Sequence, residues 1–531
     1  MLPGVNVLPR FLGGYFGLLR RNCAATCLCR KISVSVRLNR KFFRPQVKLS
    51  RRQSPVSVYK SMQQSVADEV DEDKDNAEDS EFDALAQRML HIPGAGHRVM
   101  VIQPFMKWGR LKNHLTTPEL QLEESVTLIK TLRTWEVVDQ MTVPLSGPNR
   151  RTVFGSGQLE SLVKKAVGNS KVTAVFISVN MLQPSQHEFL QNAFRLPVYD
   201  RYTIVIHIFR QHARTKESTL QIKLAELPYL RSRLRRNEIG LLTGFGGEVG
   251  ALNTVWKGKE FHDQLFKERE AKIKAEIEKL RQHRKLIRKS RQANEIPVVA
   301  VVGYTNSGKT SLIKALTGRE KLEPQDYLFA TLDVTVHEGT LPSSMKVLFV
   351  DTIGFMSDIP TMLFQSFLTT LEEVRLADVI IHVRDISHPD NVAQNQNVKE
   401  ALNLLELPEV LKNNMITVGN KIDKLPDEEL DSFRSEGMIF ISALKMIGTD
   451  YLLQKVEEYV MKLTDRKIIT MKVRTAGEEY QWLQENTTVL EESVLDENSV
   501  YSLMKVIITD IAMERFKHMF IKEYLNTKRK A

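Results

Sequence analysis

The chain has 531 residues, of which 42% are hydrophobic and 26% charged, with 3 cysteines and a formal net charge of +11. That length exceeds a single hydrophobic core several-fold, so more than one domain is expected, and no apolar run reaches the roughly 20 residues that a membrane-spanning helix needs. The charge is uneven: residues 1–60 hold 13 Lys and Arg and no Asp or Glu, leaving 62 basic against 64 acidic residues elsewhere, so any basic surface on the folded part must be local.

Residues 1–60 have the acid-free, Arg-, Leu- and Ser-rich composition of a mitochondrial presequence, which predicts a matrix protein. A disordered basic tail is the alternative, but Phe11, Leu12, Phe16, Leu18 and Leu19 set among the basic residues suit an amphipathic import helix better. Cys23, Cys27 and Cys29 all fall here, which excludes disulfides, thiol catalysis and Cys-bound metal from the mature chain. Residues 61–84 follow as an acidic linker too poor in apolar residues to build a core; Asp68 to Asp83 alone carries ten carboxylates and one lysine.

Over 85–216, β-branched runs (Val99 to Ile102, Val137 to Val143, Val172 to Val179) alternate with amphipathic stretches (Leu120 to Leu132, Gly157 to Val167, Ser185 to Phe194), predicting an α/β unit with a largely parallel sheet. Residues 217–295 read as a hairpin of two helices, 218–236 and 257–292. The second carries an apolar stripe of Phe261, Leu265, Ile273, Ile277, Leu280 and Ile287 on a charged rod. The loop between them holds Gly240, Gly244, Gly246, Gly247 and Gly250 among apolar residues, either a flexible link or an inserting tip.

Pro297 ends the second helix, and Val298 to Val302 is a buried strand that opens a unit spanning 296–465. It runs into Gly303-Tyr304-Thr305-Asn306-Ser307-Gly308-Lys309-Thr310, a phosphate loop, with a helix from Ser311 to Leu316 behind it. The loop's N–H groups suit phosphates, Lys309 the β and γ oxygens, and the Thr310 hydroxyl magnesium. Asp351-Thr352-Ile353-Gly354 ends a second apolar strand; Asp351 is suited to hold magnesium and the Gly354 N–H to meet a γ-phosphate. Asn420-Lys421-Ile422-Asp423 ends a third strand, and the Asp423 carboxylate matches the paired N–H donors of guanine, which adenine lacks. Ser442-Ala443 is suited to offer a backbone N–H to the guanine oxygen. Thr331, between the first two motifs, is the candidate second magnesium ligand, with a turn threonine as the bland reading. The expected activity is therefore GTP binding and hydrolysis to GDP with Mg2+, with Lys309, Thr331 and Gly354 as catalytic candidates. After Gly354 comes Phe355 in place of a water-orienting glutamine, which predicts slow unassisted turnover, and no general base is assigned. Residues 466–531 are expected to form a small α+β domain, with strands at Ile468 to Val473 and Val500 to Ile508.

These motifs, with Phe329-Ala330-Thr331-Leu332-Asp333, Thr370 to Glu373 and Asp385-Ile386-Ser387, resemble the HflX branch of the translational GTPases, and within it the mitochondrial members. Upstream, Gly157-Gln158, Leu182 to Gln186, Tyr199-Asp200-Arg201 and Ile208 to Thr215 carry the same resemblance, which covers about 95–465. It implies a P-loop GTPase domain behind an α/β HflX domain with a helical hairpin. It also implies a monomer that binds the mitochondrial large ribosomal subunit and its rRNA, serving ribosome splitting or late subunit assembly. Arg210, Arg214, Lys216, Lys223, Arg231, Arg233, Arg235, Arg236, Lys257, Lys259 and Lys267 agree with contact to rRNA phosphate, although Glu268, Glu270, Glu276 and Glu278 also suit a solvated face. The chain departs from the family pattern at Gly250 to Lys257, at Lys267 to Glu270, and at Asp333-Val334-Thr335, where relatives carry Asp-Pro-Thr. The alternative reading is a nucleotide-gated, rRNA-binding assembly scaffold without catalytic purpose.

Overall fold

The structure is a computed structural model that describes residues 96–521 apart from 110–111, 146–151, 235–258, 294–295, 319–326, 358–362, 364–370, 434–436 and 495–499. The segments expected as presequence (1–60), acidic linker (61–84) and glycine-rich hairpin loop lie outside the described residues.

Three sheets organise the described residues. The first has order β2-β1-β3-β4 and is wholly parallel: β1 (Arg98–Met106), β2 (Glu136–Leu145), β3 (Ala174–Ile177) and β4 (Val198–Asp200). A parallel sheet is covered on both faces, which is why β1 opens on an unbroken apolar run. Val99 and Val101 enter one core, Met100 and Ile102 the other. The crossover helices begin at residues that satisfy their own first N–H groups. For α1 (Pro118–Lys130), Thr117 Oγ1 accepts from the Leu120 N–H. For α2 (Ser156–Gly168), Gln158 reaches back to the Gly155 N–H, and for α3 (Pro184–Phe194) Gln186 takes the Gln183 N–H at 2.9 Å. Two of the upstream sequence motifs are thus helix starts.

The helix α4 (Arg201–His212) follows β4 without a gap, capped by Asp200, whose Oδ1 accepts the Thr203 N–H at 2.9 Å. Next come α5 (Lys216–Leu234) and α6 (Lys259–Ala293). They run antiparallel, because Arg284, late in α6, pairs at 2.6 Å with Glu217 at the start of α5. On α6 the buried positions are Phe266, Ile273 and Ile277, with Leu280 partly covered. Leu265, expected in the stripe, is only half-buried beside Phe266, while the side chains of Phe261 and Ile287 are outside the described set.

The second sheet has order β10-β9-β8-β5-β7-β6. Its strands are β5 (Val298–Gly303), β6 (Thr335–Thr340), β7 (Lys346–Asp351), β8 (Val379–Asp385), β9 (Ile416–Asn420) and β10 (Ile439–Phe440), all parallel to their neighbours except β6. On β5, Val299 and Val301 face α7 (Lys309–Thr317) and α8 (Thr449–Leu463). Val298, Ala300 and Val302 enter a core that also contains Val126, Tyr202, Phe209, Leu230 and Ile277. One face of this sheet therefore shares its apolar core with the N-terminal unit. The C-terminal sheet is antiparallel, order β11-β13-β12: β11 (Arg466–Arg474), β12 (Thr488–Val494) and β13 (Tyr501–Thr509). Among the described residues no helix is long and apolar enough to cross a membrane.

Candidate nucleotide site

Four of the predicted motifs meet at the carboxyl ends of β5, β7, β9 and β10, where parallel α/β sheets hold ligands. The phosphate loop leaves β5 at Gly303 and turns through Asn306 and Gly308 in left-handed backbone, φ 59° and 92°. At Gly308 a side chain is doubly forbidden, by that φ and because a Cβ would lie 2.3 Å from Asn420 Nδ2. Lys309 is 6% exposed, and its ammonium donates to the carbonyls of Gly303 at 3.3 Å and Tyr304 at 2.8 Å. Burial pushes its pKa down to about 8, against the pull of the Asp351 carboxylate. The Thr305 and Ser307 hydroxyls are buried without a hydrogen-bond partner among the described residues. A desolvated cation and orphaned donors in one loop fit an anion. Ser311 follows on the first turn of α7 and is partly exposed.

The second motif is stitched to the first. Thr305 N donates to Phe355 O at 2.7 Å and Phe355 N to Gly303 O at 3.1 Å. Thr352 turns its hydroxyl onto Val301 O at 2.7 Å and Ile353 enters the shared core, so only their backbone faces the loop. At Gly354 a Cβ would sit 2.8 Å from Thr305 Cα and 3.0 Å from Lys309 Nζ, which explains the glycine. Phe355 is 3% exposed and packs in the core.

The three metal candidates converge. Thr310 Oγ1 donates to Asp351 Oδ2 at 2.7 Å, Thr331 Oγ1 to the same oxygen at 3.1 Å, and the two hydroxyls are 3.2 Å apart. Burial raises the Asp351 pKa and the Thr310 hydrogen bond opposes it. The described residues contain no cluster of three His, Cys, Asp or Glu side chains suited to a metal. One carboxylate and two hydroxyls form an all-oxygen set of the kind magnesium takes, fewer than its six ligands, as at sites where waters and phosphate oxygens supply the rest.

The base end is braced internally. Asn420 Nδ2 donates to Ser307 O at 2.9 Å, and its Oδ1 accepts the Ala443 N–H at 3.0 Å. Lys421 reaches Asn306 O at 2.8 Å and pairs with Asp385 at 2.7 Å. Ser442 Oγ donates to Asp423 Oδ1 at 2.6 Å, holding the carboxylate. The Ser442 and Ala443 N–H groups donate within the fold, to Ile447 O and to Asn420 Oδ1, each at 3.0 Å. The dipeptide thereby supports Asn420 and Asp423. Arg210, one of the residues expected to contact rRNA, pairs with the buried Glu226.

Sequence reasoning missed Glu124 and Ser357 at the phosphate end, and quoted Arg201, Thr215 and Asp333 only as parts of family motifs. Glu124 on α1 accepts from Tyr304 Oη and from Arg201, each at 2.8 Å, and its other oxygen accepts from Ser357 Oγ. Asp333 accepts from Thr215 Oγ1 at 2.7 Å. The upstream Tyr199-Asp200-Arg201 motif was the available signal, since a capping Asp200 fixes where Arg201 points.

Comparison with known proteins gives three family matches, described as "50S ribosome-binding GTPase" over 298–421, "GTP-binding GTPase Middle Region" over 212–291 and "GTP-binding GTPase N-terminal" over 119–210. "Putative GTP-binding protein 6" of Homo sapiens is 41% identical over 85% of this chain and 87% of its own length. "GTPase HflX" of Caldanaerobacter subterraneus is 35% identical over 73% of this chain and 87% of its own. A solved GTP-binding protein of Sulfolobus solfataricus in complex with GDP is 22% identical, covering 69% of this chain and 99% of that one, with a TM-score of 0.37, too loose a likeness to add to the argument.

Proposed function

This chain belongs to the HflX family of GTPases, and from that premise we propose that it is a mitochondrial factor that acts on the large ribosomal subunit and its rRNA, in ribosome splitting and late subunit assembly. As a member of the family it binds GTP and GDP and hydrolyses GTP. The observation that carries the ribosomal reading is the match of residues 298–421 to a family described as ribosome-binding, continuous with matches to both upstream regions. The mitochondrial part rests on the 13 basic and no acidic residues of 1–60.

In this reading 85–216 and 217–295 are the N-terminal unit and hairpin, 296–465 the GTPase domain and 466–531 a small α+β domain. Lys309 exchanges its two carbonyl partners for phosphate oxygens, the N–H groups of 303–311 line the phosphates, and Gly354 brings its N–H against the γ-phosphate. Thr310, Thr331 and Asp351 would hold magnesium, which would supply neutralisation of phosphate charge. Asp423, fixed by Ser442, selects guanine, while Asn420 and Lys421 brace the loop against β9. With Phe355 turned into the core, no side chain there orients water, so turnover is slow until a partner contributes.

Sedimentation of mitochondrial ribosomes with the mature protein and GTP, GDP or a non-hydrolysable GTP analogue tests the proposal. Analogue-dependent co-migration with large subunits is expected; migration that ignores the nucleotide contradicts it. Lys309→Ala or Asp351→Ala that supports subunit assembly but not splitting favours the scaffold reading for assembly.

A further inference from the structure

We infer that Glu124 and Arg201, together with Phe209 and Thr215, form a clasp through which the N-terminal unit holds both switch segments in the conformation that accepts GTP. None of these residues belongs to a nucleotide motif. Glu124 joins the two halves of the phosphate end: it accepts from Tyr304 in the phosphate loop and from Ser357, three residues beyond Gly354. Ser357 is bound from every side, its N–H donating to Tyr304 Oη at 2.8 Å and its carbonyl accepting from Arg201 at 3.0 Å. The Arg201 side chain is 5% exposed and that of Glu124 19%, so water does not readily replace these contacts. Movement of 354–357 away from Lys309 has to break them together.

The other switch is held in the same manner. Phe329 adopts φ 55°, costly for a bulky side chain and sustained only where packing dictates it. The packing comes from Phe209, edge-on at 4.9 Å, while Tyr327 stacks on His212 at 5.0 Å. Two residues past Thr331, Asp333 accepts from Thr215 Oγ1 and from the Arg214 N–H at 3.3 Å. The state held in this way is the closed one, because the Thr331 hydroxyl lies 3.2 Å from that of Thr310 and 3.1 Å from Asp351. A contact made in one state and broken in the other biases the equilibrium, and coupling is reciprocal: the clasp strengthens binding of the triphosphate, and the triphosphate strengthens the clasp.

The inference rests on nucleotide binding by the site and is independent of the ribosomal reading. The test is fluorescence titration of full-length Glu124→Ala, Glu124→Gln and Thr215→Val with GDP and with a non-hydrolysable GTP analogue. For Glu124→Ala we expect analogue affinity to fall about tenfold while GDP affinity changes less than about twofold, within the usual range of coupling between sites. Glu124→Gln keeps an acceptor oxygen and should recover part of the loss, and Thr215→Val should show the same selectivity at smaller size. If Glu124→Ala does not fold, the other two variants carry the test. Equal loss for both nucleotides marks a merely structural contact and overturns the proposal, as do unchanged affinities or a selective loss of GDP. Retained GDP binding shows the pocket itself intact.

Discussion

The two ends of the nucleotide site are built differently. The base end, Asn420 to Asp423 with Ser442-Ala443, is braced entirely from within its own sheet and loops. The phosphate end depends on a second unit: Tyr304 and Ser357 are tied to Glu124, and Phe329 and Asp333 lean on Phe209 and Thr215. On the proposed function, the part that recognises the same base in every state is self-contained, while the part that changes with the γ-phosphate is shared with the unit through which a change can be felt.

The sharpest way to break the comparison is at the base end. Asp423→Asn replaces one of the two oxygens facing the guanine donors by an NH2 group and removes the charge, and should weaken GDP and GTP analogue alike, on the order of a hundredfold, at hydrogen-bond values for a charged group. A loss confined to one nucleotide, seen by titration calorimetry, would place Asp423 on the switching side. At the phosphate end, Thr331→Val should cost the analogue about tenfold and spare GDP if the contact of this hydroxyl with Asp351 belongs to the triphosphate state. Titration of pH separates a third property common to both nucleotides. Phosphate favours the ammonium form of Lys309, so affinity is full below its free-protein pKa of about 8 and falls above it, by up to about tenfold per unit. Lys309→Met, already weak, should lose that slope, and a slope surviving in the variant would assign it elsewhere. Ser442→Ala frees Asp423 without removing it and should cost both nucleotides only a few-fold, about 1 kcal/mol.

The nucleotide motifs were legible because a buried parallel strand announces itself as an apolar run and its ligand loop follows at once, as with Val298 to Gly303 or Ile416 to Asn420. Glu124 was not, since nothing local separates it from its exposed neighbour Glu123; which of the two faces inward depends on how α1 lies against a partner far along the chain. The stripe of α6 was misread at Leu265 because a helix turns 100° per residue and Phe266, its neighbour, is the better fit to the core. Strand β12 escaped because Glu491 and Glu492 break its apolar alternation; it is stabilised by pairing with β13, not by its own pattern.

Hydrogen exchange of the full chain with GDP and with a non-hydrolysable GTP analogue tests the division between the two ends most directly. The division predicts that the analogue adds protection at 327–333, 354–357 and 209–215 together, while 420–423 and 442–443 are equally protected by both nucleotides. Protection that differs at the base end, or that changes in the switch segments while 209–215 stays the same, would contradict it.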